Sequence, residues 1–397
     1  MITVTEARET IARLVAPLPP ESVALLQALG CVLREPVASA EDLPTFDRSA
    51  MDGYAVRADD AGDAFEVVGE IRAGQVLARV LLPGQALRIF TGAQLPGPGL
   101  KVIIQENTEA GDGKLRLVKR SDNTNVRLRG EDARAGEILL EPGSSLEAAA
   151  LALLATIGKT SILVSRAPRI LHLTTGDEVV PPEQTPGAGQ IRNSNAPLIA
   201  ALLAAQGVDR VEHFHAGDDL PAMIDLLNKA NTAAYDLILI SGGSGPGSYD
   251  FSAELFRHLG ATIHFREINV RPGKPLIFGT SAAQTVFGLP GNALSHFVCF
   301  HLFVRVALDR LLARPLTGTV FGFLAEPMTD TANARETWWP ARASLADGRL
   351  EWRALPWKSS GDITRLPAAN SLIRVPSSTP GLAKESIVEV LLTGGLL

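Results

Sequence analysis

Apolar and polar positions change rhythm repeatedly along this chain. The opening MITVTEARETIARLV puts apolar residues on one helical face and Glu6, Arg8 and Glu9 on the other, which predicts an amphipathic helix. The rest of the first 45 residues is mixed. From Phe65 to Leu140 short apolar runs (FEVVG, ALRIF, VIIQE, KLRLV, EILL) alternate with Gly, Pro, Asn and Asp turns, the texture of a small β domain. SSLEAAALALLA then predicts a helix from Ser144, with Ser at its cap, Glu147 near its first turn and a stop at Gly158.

Arg169 to Leu308 has a βαβ rhythm. RILHLT, VEHFHA and DLILIS read as strands, with helices over Ser194–Gln206, Leu220–Ala230 and Phe251–Leu259. TIHFREINV, PLIFG and TVFG are further strands, and Leu294–Leu312 is a long helix. Such alternation predicts a mainly parallel sheet covered by helices. Pro275 to Val304 carries no Asp, Glu, Lys or Arg, but Gly279, Gln284, Gly288, Pro290, Gly291 and Asn292 interrupt it. It reads as strand, turn, strand, loop and buried helix rather than a membrane span. After Pro315 five short β runs predict a terminal barrel.

At 397 residues the chain exceeds the roughly 250–300 that one core usually serves, so several domains are expected. The pattern divides them as 1–45 with 144–166 (a helical linking region), 46–143 (a small β domain), 167–313 (an open-sheet α/β domain) and 314–397 (a β-barrel). The fold class is therefore multidomain α/β plus β.

Hydrophobic residues make up 46% and charged residues 20%, a globular balance, and the net charge of −6 argues against a nucleic-acid partner. A local Arg/Lys pocket for a small anion remains compatible with that charge. The two cysteines, Cys31 and Cys299, sit in apolar surroundings and read as buried thiols of a reducing compartment. No Cys/His spacing suggests zinc. The start shows no basic segment followed by an apolar one, so a cytoplasmic location is expected.

Ligands of open α/β sheets bind beyond the carboxyl ends of the strands. RILHLT is followed by Thr174-Thr175-Gly176-Asp177-Glu178, VEHFHA by Gly217-Asp218-Asp219, DLILIS by Gly242 to Asp250, and TVFG by Leu289-Pro290-Gly291-Asn292. Gly242, Gly243 and Gly247 belong to a run at a strand-to-helix junction that suits a phosphate, although it matches neither Walker A nor GxGxxG. Asp177, Glu178, Asp218 and Asp250 on one rim would repel one another without a cation. Helix capping explains a single such acid, but four make magnesium competitive. Arg271-Pro272-Gly273-Lys274-Pro275 presents two cations on a stiffened loop, suited to an oxyanion, with an exposed basic turn as the alternative. His172, His213 and His215 lie within strands and are assigned no role.

Leu43 to Val56, LPTFDRSAMDGYAV, adds two acids and a base beside a small-residue turn. Together with TGAQLP (91–96), RLRGED (127–132), TTGDE, GQIRNSN (189–195), SGGSGPGSYD, RPGKP, GLPGN and SSGD (359–362), it resembles the molybdopterin molybdenumtransferases, the gephyrin-type molybdenum insertases. The resemblance spans residues 43 to 362. SAMDGYAV is highly specific for the insertase. The TGDE, double-glycine and GLPGN set is shared with wider pterin-binding domains.

The resemblance implies insertion of molybdate into adenylylated molybdopterin with release of AMP, supported by Mg2+. It implies an elongated homodimer, with the α/β domain of one subunit faced by the SAMDGYAV region of the other, and a molybdopterin adenylyltransferase as possible partner. It places Asp52, Thr91, Asp132 and Glu178 in catalysis and Glu178, Asp218 and Asp250 at the metal. Gly242, Gly243, Gly247, Arg271, Lys274, Pro290, Asn292, Ser295 and Arg342 fall at the substrate or oxyanion. Two positions depart from the family pattern: Ser244-Gly245-Pro246 replaces its Val-Ser-x stretch, and Ala293 stands where it has Pro. They keep two alternatives open, a tungstate-preferring insertase and a catalytically weak pterin-binding scaffold.

Overall fold

The computed structural model describes residues 1–242, 249–346 and 348–395, with Tyr249 and Asp250 described by backbone only. The chain forms two compact units. One comprises Met1–Val23, Ala28–Arg34 and Leu163–Leu397, the other Ala24–Gln27 and Glu35–Ile162.

The second unit is built on a six-stranded sheet. Its spatial order is Leu100–Ile104, Gly53–Arg57, Gln85–Ile89, Ala64–Ile71, Lys114–Leu117 and Thr108–Gly111. Ala55, Ile71, Leu87, Ile89 and Val102 form its core. Gly53 opens a strand buried on both faces, and a Cβ there would lie 2.0 Å from the Ile103 carbonyl oxygen. Glycine is therefore what lets the SAMDGYAV segment enter the sheet. The helix expected from Ser144 begins later, at Ala148, with Glu147 at the cap position and no side-chain cap bond. Ser144 and Ser145 are instead used in preceding turns, where the Ser144 amide donates to Glu141 and the Ser145 carbonyl accepts from Glu147.

The first unit begins with the helix Val4–Leu14. Thr3 caps it by accepting from the Glu6 amide while Glu6 accepts from the Thr3 amide, a reciprocal capping box. Val4, Ala7 and Ile11 bury its apolar face in a cluster with Ile268, Phe300 and Phe303. The α/β sheet orders its six strands as Val211–Ala216, Ile170–Thr175, Leu237–Ser241, Thr285–Leu289, Ile277–Thr280 and Thr262–Phe265. The first four run parallel, and only Ile277–Thr280 is reversed, pairing antiparallel with both its neighbours, so the mainly parallel expectation holds for the strands that carry ligand loops. The Ile277–Leu289 segment turns back as a hairpin because Ser281–Gln284 is too short for a crossover. Val270–Arg271 leaves this sheet and pairs with Glu336–Thr337.

The long terminal helix is Ala293–Cys299 and Arg305–Leu311, joined by a π-helical stretch at Phe300–Val304. Beyond it, Val320–Leu324, Glu336–Ala346, Arg349–Ala354, Ser371–Val375 and Ile387–Leu392 close into a five-stranded barrel. Trp352, Ile373 and Val390 fill it. Cys299 is fully buried, but Cys31 is only half-buried, against the expectation for it; neither is in a disulfide. Among the described residues no helix is long and apolar enough to cross a membrane.

Candidate functional site

In the α/β sheet the chain leaves Ile170–Thr175 toward one side and returns through Leu237–Ser241 on the other, creating a topological switch point. The carboxyl ends of these two strands line a cavity of about 270 Å³ with Thr174, Thr175, Ser241 and Gly242. Gly242 has φ +108°, and a Cβ there would lie 2.5 Å from the Thr175 hydroxyl oxygen and 2.8 Å from its carbonyl oxygen. The Gly-rich run thus departs from the sheet at a point that excludes any side chain.

Glu178 and Asp218 both line this cavity. Their neighbours do structural work. Asp177 Oδ1 accepts the Asp218 amide at 3.0 Å and fixes that turn, and Asp219 caps the helix Leu220–Lys229. A turn and a cap thus account for Asp177 and Asp219, and Glu178 and Asp218 are left lining the cavity. Asp250 is the second residue of the helix Tyr249–His258, and its side chain, like Gly243 and Gly247, lies outside the described residues. No group of three or more His, Cys, Asp or Glu stands together as a metal cage among the described residues. Two carboxylates in one cavity nevertheless match what magnesium takes from a protein when substrate phosphates complete its shell.

A second cavity, of about 430 Å³, adjoins the first through Gly291 and Asn292. Arg271, Lys274, Pro290 and Ser295 line it as the motifs suggested, but it also holds Arg335, Trp357, Lys358 and Ser360. The Arg271 guanidinium lies 4.8 Å from the Trp357 ring centre, a cation–π contact that holds the fork in place. Lys274 is 3.3 Å from Glu267, and Arg335 donates to the Val270 carbonyl at 3.3 Å. The loop before the terminal helix is pinned from the C-terminal side. The Leu294 and Ser295 amides donate to the Ser360 carbonyl at 3.1 and 3.3 Å. Ala293, the family's proline position, is the first residue of that helix. On the other side Asn195 donates to the Gly291 carbonyl at 2.7 Å.

Arg342 does not line either cavity. It lies exposed on the barrel, opposite Arg353 in the ladder, and the cations that this region brings to the pocket are Arg335 and Lys358. Sequence reasoning missed Arg335, Trp357 and Lys358; the adjoining SSGD motif was the signal that pointed to the last two.

The second unit holds the remaining motif acids. Asp52 Oδ1 accepts from the Thr91 amide at 2.8 Å and from the Thr91 hydroxyl at 2.7 Å, which holds its carboxyl below the usual range. The SAMDGYAV and TGAQLP segments are laced further by Ser49 to Ala93, Gly92 to Ser49 and Leu95 to Asp47 backbone bonds. RLRGED joins them through the Arg129 amide, which donates to Asp47 at 2.8 Å. Asp132 is exposed and paired with Arg127. A further cavity, about 700 Å³ beside Arg57, Arg79 and Pro98, is lined by none of these groups; its Arg57 and Asp59 pair with each other.

A switch-point cavity with two carboxylates and Arg192, adjoining a pocket of four cations, marks an α/β protein with a charged site at the carboxyl ends of its parallel strands. Comparison with known proteins makes the class specific. Residues 2–158 match the MoeA N-terminal region (domain I and II), 172–310 the probable molybdopterin binding domain, and 324–393 the MoeA C-terminal region (domain IV). A molybdopterin molybdenumtransferase from Staphylococcus epidermidis is 30% identical over 99% of this chain and 96% of its own length. One from Nostoc sp. is 36% identical over 90% of this chain and 85% of its own. The crystal structure of a molybdopterin biosynthesis MoeA protein from Pyrococcus horikoshii, 30% identical, superposes with a TM-score of 0.82 over the whole of both chains. The chain belongs to the molybdopterin molybdenumtransferase family, and it is an enzyme of molybdenum cofactor biosynthesis.

Proposed function

We propose that this enzyme inserts molybdate into adenylylated molybdopterin and releases AMP, with magnesium required. The single observation that carries the reading is the continuity of the two cavities. An acid-lined space under the Gly242 turn shares Gly291 and Asn292 with a pocket of Arg271, Lys274, Arg335 and Lys358. Both ligands are anions: the oxyanion meets cations directly, whereas a phosphate beside Glu178 and Asp218 needs a bound cation between them, and the two settings lie side by side.

In this reading Arg271 and Arg335 supply planar forks and Lys274 and Lys358 point charges for the oxyanion, while Ser295 adds a directed donor. The Gly242 turn suits the approach of a phosphate, because no side chain stands between it and the backbone. Glu178 and Asp218 would hold magnesium, whose charge when bound offsets that of the phosphates. Asp52, fixed by Thr91, stays ionised, and Asp132 is the second catalytic acid of its unit. We further propose a cytoplasmic homodimer that receives its substrate from a molybdopterin adenylyltransferase.

Incubation of the purified protein with adenylylated molybdopterin and molybdate, with and without magnesium, tests the reading. AMP release that needs magnesium supports it; AMP release unaffected by chelation removes the metal role, and none under any condition sinks the proposal.

A further inference from the structure

Three histidines that the reaction does not use form a hydrogen-bonded line through the α/β domain. His213 Nδ1 meets His172 Nδ1 at 3.0 Å, and His172 Nε2 meets the Ser241 hydroxyl at 2.6 Å. The same hydroxyl meets His296 Nε2 at 2.8 Å, and His296 Nδ1 meets the Pro290 carbonyl at 2.6 Å. His172, Ser241 and His296 are all buried.

The direction of every bond follows from its last member. A carbonyl can only accept, so His296 Nδ1 carries the proton. In a neutral ring Nε2 is then an acceptor, and Ser241 must donate to it. The Ser241 oxygen therefore accepts from His172 Nε2–H. That leaves His172 Nδ1 as an acceptor, filled by His213 Nδ1–H. Burial pushes all three rings toward the neutral form, His296 to about 4. One arrangement of protons satisfies the whole line, and such aligned dipoles strengthen one another.

The line meets the site at two points, its middle member Ser241 and its end at Pro290. Ser241 is the last residue of its strand, next to Gly242, and Pro290 leads into Gly291 and Asn292, which both cavities share. We infer that His296 is a positioning residue that locks the Pro290–Asn292 loop to the end of the Leu237–Ser241 strand, so that the two cavities keep one relative geometry. The inference rests on the proposed function only for the identity of the ligand.

Two measurements on the full chain decide it. In protein labelled with 15N-histidine, imidazole spectra near neutral pH should show Nδ1–H tautomers for His296 and His213 and an Nε2–H tautomer for His172, assigned by single substitution. An Nε2–H tautomer at His296 overturns the inference whatever the ligand. The second measurement is the apparent affinity for molybdate during AMP release. His296→Ala should weaken it about tenfold, since displacement of positioning groups by an ångström carries losses of this order and more. His296→Asn, whose amide can reach the Pro290 carbonyl, should recover to within about threefold of wild type. His296→Gln, which reaches Ser241 instead, should not.

A lowered maximal rate at unchanged molybdate affinity in His296→Ala, or equal recovery by Asn and Gln, would mean a merely structural histidine. If the wild type shows no molybdate dependence at all, the functional reading fails. Hydrogen exchange at the Gly291 and Asn292 amides then replaces affinity as the second readout, with faster exchange in His296→Ala but not in His296→Asn expected.

Discussion

Asn292 donates through its side-chain amide to the Ser360 hydroxyl at 2.7 Å, joining the loop that both cavities share to the SSGD segment near the C-terminus. These residues are 68 positions apart. One neutral hydrogen bond is worth about 0.5–1.5 kcal/mol. Asn292→Ala and Ser360→Ala are each expected to lower stability within that range and to weaken molybdate use severalfold. Because they share one interaction, the double variant should be clearly less damaged than the sum. Urea denaturation of the four proteins checks this, and strict additivity would show that the pair is not coupled.

Arg271 is held over Trp357 and presents a planar fork to the basic cavity. Lysine keeps the charge but not the fork or the stacking. Arg271→Lys should raise the molybdate concentration for half-maximal AMP release about tenfold, about 1.4 kcal/mol, with a smaller change for the pterin nucleotide. Equal effects on both ligands would place Arg271 at the nucleotide rather than the oxyanion.

Glu178→Gln and Asp218→Asn remove one charge each from the switch-point cavity without altering side-chain volume. Both residues lie outside the apolar clusters, so thermal melting should stay close to wild type. The magnesium concentration for half-maximal AMP release should rise at least tenfold in either variant. Identical magnesium titrations in wild type and both variants would remove these two residues from the metal.

His301 lies in the π-helical stretch with its ring against those of Phe297 and Phe300, and neither of its buried ring nitrogens has a hydrogen-bond partner among the described residues. Burial lowers its pKa from the ordinary 6.5 to about 3. The unfolded chain therefore binds a proton below about pH 6.5 that the folded protein refuses. Stability from this group is fully present above pH 6.5 and is lost as pH falls, by about 1.4 kcal/mol per pH unit, until about pH 3. His301→Leu should leave stability at pH 7.5 little changed and make the protein more stable than wild type at pH 5, by about 2 kcal/mol. Denaturant midpoints at the two pH values test it; parallel loss in both proteins would contradict the assignment.

Much of this architecture was legible in the pattern of residues. The Thr3–Glu6 capping box, the buried DLILIS strand and the Gly, acid and Pro clusters after each strand carry local signals that survive in the fold. What escaped was set by distant contacts. Arg335 reaches the basic cavity because the Val270–Arg271 strand pairs with Glu336–Thr337, a neighbourhood no local pattern encodes. His172 sits in a strand buried on both faces, where alternation cannot tell a solvated histidine from one bonded to Ser241 and His213. The helix start near Ser144 was displaced because its serines serve turns, which offer the same backbone partners as a cap.

Metal insertion and cleavage of the adenylylated pterin are expected to occur together on this protein. The most direct measurement titrates molybdate at fixed magnesium and adenylylated molybdopterin, and quantifies AMP and metal-loaded cofactor in the same samples, with tungstate in parallel. Both products should rise together, in equal amounts, and saturate with molybdate. AMP that appears at the same rate without oxyanion, or without loaded cofactor, would mark a nucleotide-cleaving hydrolase and contradict the account.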